Sequence, residues 1–255
     1  DGVCALLNAQ DAAGLLAGGI MHSGACLTLP EAITAQTALR ARQTSGCEGQ
    51  ADVAACLRAA DLEDVMRWPG ASLFAPPESG VDYYLSVDGA YVAQSLHDGF
   101  RSQTEQIPLL LGTTADEYST IIDLLGPPPE TPEAYRATLR ALAETEATAA
   151  ALERLYPYAD YASGRAALVA LFSDAVFHCP ARRILRARGA GASWRFLYDA
   201  PYAGPAWSTL GTGHGFDILD LFLNYEGSGV APEGRGVAQR MRSRWLNFAR
   251  TGAPE

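Results

Sequence analysis

Residues 111–120 read Leu-Gly-Thr-Thr-Ala-Asp-Glu-Tyr-Ser-Thr and begin where the apolar run Ile107–Leu111 ends. A short apolar run bounded by turn residues is typical of a strand buried on both faces of a parallel sheet. The loop residues come next, so Glu117 is predicted on a loop just past the carboxyl end of this strand.

A second loop carries a histidine between two glycines, in Gly213-His214-Gly215-Phe216-Asp217. A carboxylate followed later by a histidine is the second half of the Ser…Asp/Glu…His order of α/β-hydrolases. Acyl transfer by serine needs a histidine base, and a buried carboxylate orients that base and stabilises its imidazolium. We therefore predict Glu117 as the acid and His214 as the base, with no metal or organic cofactor. No G-x-S-x-G occurs in the 255 residues, so the nucleophile lies elsewhere or is absent.

Composition limits the partners of the chain. Its 255 residues are 48% hydrophobic, enough for a large core, and the formal net charge of −10 argues against nucleic acid or an anionic membrane as a partner. No apolar run reaches the roughly 20 residues that a membrane-spanning helix needs.

The pattern along the chain predicts an α/β fold. Strands ending at Ser23, Thr113 and Asp199 alternate with helices, which indicates a mostly parallel sheet. Three strands with this much helix cannot enclose a core alone, so we expect a part of a larger fold. Further elements are predicted as follows: a hairpin of Tyr83–Val87 and Tyr91–Ala93 around Asp88-Gly89, and helices over 132–155, 166–177 and 237–249.

These residues and several others resemble type-B carboxylesterases, the α/β-hydrolases that include cholinesterases and bacterial para-nitrobenzyl esterases. The acid motif G-x-x-x-D-E-G-S is matched at 112–119 except at Tyr118, and the histidine motif H-G-x-[DE]-[IL] at 214–218. A strand ending in Q-S-G is matched by Gly18–Gly24, with His22 in place of the usual glutamine. Other matches, in family order, are Cys47…Cys56-Leu57-Arg58, Val87-Asp88-Gly89 and the terminal helix at 245–254.

The resemblance implies that residues 1–255 are the C-terminal part of one α/β-hydrolase domain. The nucleophilic serine and the oxyanion-hole glycines would lie in an N-terminal half, on the same chain or on a cleaved one. The implied activity is hydrolysis of a small-molecule carboxylic ester through an acyl-enzyme. The alternative is a cholinesterase-like binding protein of the adhesion type, which keeps the fold and loses the chemistry.

The resemblance also implies roles for residues beside the acid and the histidine. Ser23 would donate a hydrogen bond to Glu117, although a plain strand-end serine is an equal alternative. Residues expected to line the substrate pocket are Val81, Tyr83, Thr120, Ile121 and Trp207, although a buried loop anchor is an equal alternative for Trp207. Of the other histidines, we interpret His178 as a packed or capping residue, and His22 as a strand-end residue near the site.

Five cysteines leave at least one unpaired within the chain. From spacing alone, Cys47 and Cys56 are either a disulfide closing a small loop or two small apolar residues of a helical hairpin. The resemblance favours the disulfide, which would indicate a secreted or periplasmic protein. Cys4, Cys26 and Cys179 lie in apolar stretches and are predicted to be buried thiols.

Overall fold

The structure is a computed structural model, and it describes residues 1–28, 31–61, 85–102, 107–189, 191–200, 210–222 and 234–255. Three parallel strands form its sheet in the order β1-β2-β3: β1 is Gly19–His22, β2 is Leu109–Thr114 and β3 is Ser193–Tyr198. The register pairs Gly19 with Leu109, and Leu109 with Ser193. The three predicted strands and the α/β class are confirmed.

The central strand, β2, is buried along its whole length. The leucines that begin it pack on both faces of the sheet, as expected for a parallel strand covered on two sides. At Gly112 a side chain has no room, because a Cβ there would lie 2.2 Å from the ring of Phe196 on β3. The close approach lets Phe196 lie across β2 immediately before the loop that carries Glu117.

The described part of the chain contains ten helices besides the sheet. They are α1 (Gly2–Asn8), α2 (Glu31–Thr44), α3 (Val53–Ala59), α4 (Leu96–Ser102), α5 (Pro132–Leu142), α6 (Glu146–Leu155), α7 (Gly164–Ser173), α8 (Cys179–Arg188), α9 (Phe216–Phe222) and α10 (Gly234–Thr251). Short 3₁₀ turns cover Gln10–Ala12, Glu117–Thr120, Ile122–Leu125 and Tyr158–Asp160, and one π-helical turn covers Asp174–His178. None of the described helices is long and apolar enough to cross a membrane.

Two predicted helices are divided in the structure. The single helix expected over 132–155 is wrong, because Ala143 is extended and the Thr145 side chain accepts a hydrogen bond from the Thr148 amide, which starts α6. The helix expected over 166–177 ends as α-helix at Ser173 and continues through the π turn into α8. The local hydrogen bonds of the cap outweigh the helical periodicity of the alanine-rich sequence.

The predicted hairpin is also wrong in the part that is described. Residues 91–93 form no strand, and the carboxylate of Asp88 accepts hydrogen bonds from the amides of Ala90 and Val92. Those amides are therefore used within the turn and do not pair with a neighbouring strand. Residues 62–84, which include Tyr83, lie outside the described residues.

Three groups of buried residues make up the core. One joins α1, α4 and α8 to the first two strands. The second packs the turn after β2 against α5 and α7, and the third joins β3, α9 and α10 around Tyr198, Phe216 and Met241. The second and third groups flank the carboxyl ends of β2 and β3, so the two loops that follow these strands lie on a packed base.

The cysteines differ in part from expectation. Cys47 and Cys56 form a disulfide, as the resemblance implies. Cys4 and Cys26 form a second one, so the prediction of two buried thiols is wrong: α1 packs beside β1 and brings residues 22 positions apart to a Cα–Cα distance of 5.6 Å. Cys179 has a free thiol but is exposed and not buried, because it lies on the outer side where α8 begins.

Candidate active site

The loops that follow β2 and β3 meet because these strands are neighbours and run in the same direction. Glu117 begins the 3₁₀ turn directly after β2, and His214 lies in the loop that leads into α9. The backbone amide of His214 donates to the carbonyl of Glu117 at 3.2 Å. The two loops are therefore in direct contact through both backbone and side chains.

The side chains of Glu117 and His214 form a short hydrogen bond, with Nδ1 of the ring 2.6 Å from Oε2 of the carboxylate. A carboxylate only accepts, so Nδ1 carries the proton and Nε2 has its lone pair available. Glu117 is fully buried, whereas 42% of the His214 side chain is exposed. Among the described residues nothing hydrogen-bonds to Nε2, which leaves this nitrogen accessible to a reacting group.

The other oxygen of Glu117, Oε1, accepts two hydrogen bonds. The hydroxyl of Ser23 donates at 2.5 Å and the amide of Thr114 at 2.8 Å. Ser23 adopts the left-handed backbone region, with φ of 50°, which is uncommon for a residue other than glycine. This conformation at the end of β1 aims the hydroxyl at the acid, and the buried carboxylate is satisfied by three donors.

The electrostatics of the pair strengthen the histidine as a base. The hydrogen bond that His214 donates to Glu117 raises the pKa of His214 above its ordinary value of 6.5. Burial of the ring opposes this increase, and the negative charges of Glu117 and Asp217 add to it. The imidazolium that forms when a proton is taken up is therefore stabilised by the carboxylates of Glu117 and Asp217.

Asp116, beside the acid, connects the two loops, a role that the sequence did not reveal. Its Oδ2 accepts from the amide and the hydroxyl of Thr212 at 3.0 and 3.1 Å, and its amide donates to the Thr212 carbonyl. Gly211 permits this approach, since it has a φ of +57° and a Cβ there would lie 2.2 Å from Oδ2 of Asp116. The signal that the sequence offered was the position of Asp116 directly before Glu117 in the matched motif.

His22 also has partners that sequence reasoning missed. Its Nδ1 lies 2.6 Å from Oδ2 of Asp217, and the indole N–H of Trp245 donates to its Nε2 at 2.8 Å. Asp217 is fully buried three residues after His214. His178 is packed as predicted, with Nε2 2.8 Å from the Thr114 carbonyl.

The residues predicted to line a substrate pocket fall in different places. Thr120 is exposed. It lies beside the histidine loop, since a Cβ placed on Gly213 would be 2.4 Å from its methyl carbon. Ile121 is buried in the core group that packs against α5 and α7. Val81, Tyr83 and Trp207 lie outside the described residues. An aromatic residue that was not predicted, Phe177 of the π turn, has its ring centre 5.0 Å from that of His214.

A metal centre is not formed by the residues described: no group of three or more His, Cys, Asp and Glu side chains is arranged to bind an ion. A cleft of about 400 Å³ lies between Asp116, Arg165 and His178. Neither Glu117 nor His214 lines this cleft.

A parallel sheet with a buried acid after one strand and a histidine after the next defines an α/β-hydrolase. The carboxylesterase family model matches residues 1–255, and the chain belongs to the carboxylesterase family. Among solved structures it is similar to a PNB esterase, with a TM-score of 0.72 and 24% sequence identity over 99% of this chain and 52% of that one. The resemblance seen in the motifs is thus confirmed, and the chain spans about half the length of the esterase it matches.

Proposed function

We propose that the full-length protein is a serine carboxylesterase and that residues 1–255 supply its acid, Glu117, and its general base, His214. The observation that carries this proposal is the 2.6 Å contact between a fully buried Glu117 and a His214 whose Nε2 is accessible. This is the arrangement that acyl transfer by serine requires of its two supporting groups.

In the proposed reaction, His214 Nε2 takes the proton of the serine hydroxyl as the serine oxygen attacks the ester carbonyl. The tetrahedral intermediate collapses to an acyl-enzyme, and the imidazolium returns the proton to the leaving alcohol. Water then attacks the acyl-enzyme with the same histidine as base. Glu117 stays ionised throughout, keeps the proton on Nδ1 and stabilises the imidazolium.

The nucleophile in this proposal comes from a segment preceding residue 1, on the same chain or on a cleaved one. Within the 255 residues there is no G-x-S-x-G, and the hydroxyl of Ser23 donates to Glu117. The order β1-β2-β3 places β1 at an edge of the described sheet, where a further strand can pair. The matched esterase, about twice as long, also supports a missing half.

The proposed substrate is a small carboxylic ester, with Thr120 at the pocket and Val81, Tyr83 and Trp207 as further lining residues by resemblance. Thr120 is smaller than the aromatic residue that cholinesterases carry at this place, which favours a wider pocket without cation–π recognition. Two disulfides support a secreted or periplasmic location, since disulfides persist in oxidising compartments.

The test uses the full-length protein and a generic aryl ester such as para-nitrophenyl acetate. His214→Ala should lower kcat by about a thousandfold or more while the thermal melt is retained, because the general base is lost. His97→Ala, a histidine of α4 beside Asp98, is the matched control and should keep its activity. Activity of H214A within tenfold of wild type would contradict the proposal. An inactive wild type with an inert residue at the nucleophile position would favour the binding-protein alternative.

A further inference from the structure

His22 is the last residue of β1 and joins three elements that meet below the histidine loop. Its ring lies between Phe196 of β3 and Trp245 of α10, with ring-centre distances of 5.1 and 5.6 Å. Its two nitrogens are bonded to Asp217 of α9 and to Trp245. Only 12% of the His22 side chain is exposed, so these contacts are made inside the protein.

The hydrogen bonds of His22 fix its tautomer. The indole N–H of Trp245 can only donate, so Nε2 of His22 accepts and is unprotonated. The proton of the neutral ring is therefore on Nδ1, which donates to the carboxylate of Asp217. A proton on Nε2 would set two donors against each other, so the indole selects the tautomer with the proton on Nδ1.

The position of His22 links this pair to the acid and the histidine of the site. Ser23, the next residue, donates to Glu117, while Asp217 begins α9 three residues after His214. Two consecutive residues at the end of β1 thus bind both loops: Ser23 binds the acid loop, and His22 binds the segment that follows the base. A change at His22 would be transmitted to His214 through Asp217 and the start of α9.

We propose that His22 is a positioning residue for His214, which acts by fixing the buried Asp217 at the start of α9 in the orientation the base requires. This proposal rests on the proposed function, since it concerns the orientation of the general base.

Electrostatics support the same assignment. The charged groups that act on His214 among the described residues are Glu117 and Asp217, and both raise the pKa of its ring. The carboxylate of Asp217 is fully buried and is oriented by His22 Nδ1 and by the amide of Ile218. A charge so oriented acts on His214 from a fixed place, whereas an unfixed carboxylate would reorient as the base gains and loses its proton.

The experiment compares four variants of the full-length protein by kcat, KM, pH profile and thermal melting. His22→Gln supplies an amide donor for Asp217 and an amide oxygen for Trp245, so it should retain at least about a third of the wild-type kcat. His22→Leu fills a similar space without polar atoms, and it should lower kcat about tenfold or more with KM changed less than about threefold.

The other two variants separate charge from general destabilisation. Asp217→Asn keeps an acceptor for His22 and removes the charge, so the acidic limb of kcat/KM should move to lower pH, because the pKa of His214 falls. Asp220→Asn is the matched control, since Asp220 is equally buried on α9 but accepts from the hydroxyl of Tyr198. It should lower the melting temperature and leave the acidic limb in place.

Two results would overturn the proposal: a kcat for H22L equal to that of wild type, or an H22Q variant as impaired as H22L. An acidic limb that D217N leaves unmoved would overturn the electrostatic part. H214A, measured in parallel, separates a failure of this proposal from a failure of the proposed function. A fully active H214A would show that the proposed function itself is wrong. An inactive H214A together with an unaffected H22L would refute only the role of His22. Selective ¹⁵N-histidine NMR should show the proton of the His22 ring on Nδ1, with the His22 signals assigned by their loss in H22Q. A proton on Nε2 instead would contradict the geometry.

Discussion

Removing the hydroxyl of Ser23 tests the support of the acid separately from the acid itself. Glu117 is fully buried and accepts three hydrogen bonds, of which Ser23 supplies one at 2.5 Å. A hydrogen bond to a charged group contributes about 1.5–3 kcal/mol, and each 1.4 kcal/mol is a factor of ten in rate. This hydrogen bond supports Glu117 in the transition state, where the carboxylate stabilises the imidazolium. Ser23→Ala should therefore lower kcat/KM by about 10- to 100-fold.

The left-handed backbone at Ser23 allows a second variant to separate the hydroxyl from the backbone conformation. Ser23→Gly also removes the hydroxyl, but glycine adopts a φ of 50° without the penalty that alanine has there. The two variants should therefore lose similar activity, while S23G should unfold at higher temperature, by the equivalent of about 1 kcal/mol. Ser102→Ala, at the exposed end of α4, is the control and should match wild type.

The assay is hydrolysis of para-nitrophenyl acetate by the full-length protein, with thermal melting measured on the same samples. Values of kcat/KM within twofold of wild type for both S23A and S23G would refute the reasoning, because the buried carboxylate would then not depend on its third donor. A loss of about 10⁴-fold or more in both would instead identify Ser23 as the nucleophile.

Three further outcomes are expected. The acidic limb of kcat/KM should lie above pH 6.5, because His214 must be neutral to act as a base and Glu117 raises its pKa. Glu117→Gln should move this limb to lower pH. A limb that does not move would refute the assignment of the raised pKa to Glu117. Within residues 1–255, the non-reduced native protein should be lighter than the reduced protein by two hydrogens for each of the two disulfides. A thiol reagent should label Cys179 alone among these residues. Labelling of a second cysteine would refute the pairing. Residues 1–255 expressed alone should aggregate and be inactive, since the edge of β1 would be in water, and added N-terminal half should restore both properties. A monomeric 255-residue chain with its own esterase activity would contradict this.

The central pair of the site could be predicted because the order of the acid and histidine motifs indicated Glu117 and His214 as partners. The structure supplies the physical reason for their contact: β2 and β3 are parallel neighbours, so the loops after their carboxyl ends meet. The roles of Asp116 and His22 could not be obtained this way. Their hydrogen bonds join residues 96 and 195 positions apart, and only side-chain orientation in the folded chain selects those partners.

One error has a local cause and another has a tertiary cause. Alanine-rich periodicity over 132–155 is compatible with one helix, but the cap of Thr145 divides it, and such caps compete with helical hydrogen bonds by small energies that composition does not reveal. The second disulfide was missed because Cys4 and Cys26 belong to no recognisable spacing. It depends on α1 packing beside β1, which is a tertiary contact.

The most direct test of the account is to locate the nucleophile by covalent labelling. The full-length protein is treated with a fluorophosphonate, which phosphonylates an activated serine, and the adduct is mapped by mass spectrometry. The account predicts one adduct, on a serine outside residues 1–255, formed rapidly in wild type and Ser102→Ala but not in His214→Ala. An adduct on Ser23 or another residue of this chain, or labelling at the wild-type rate in H214A, would contradict the claim that Glu117 and His214 activate a serine supplied by another segment.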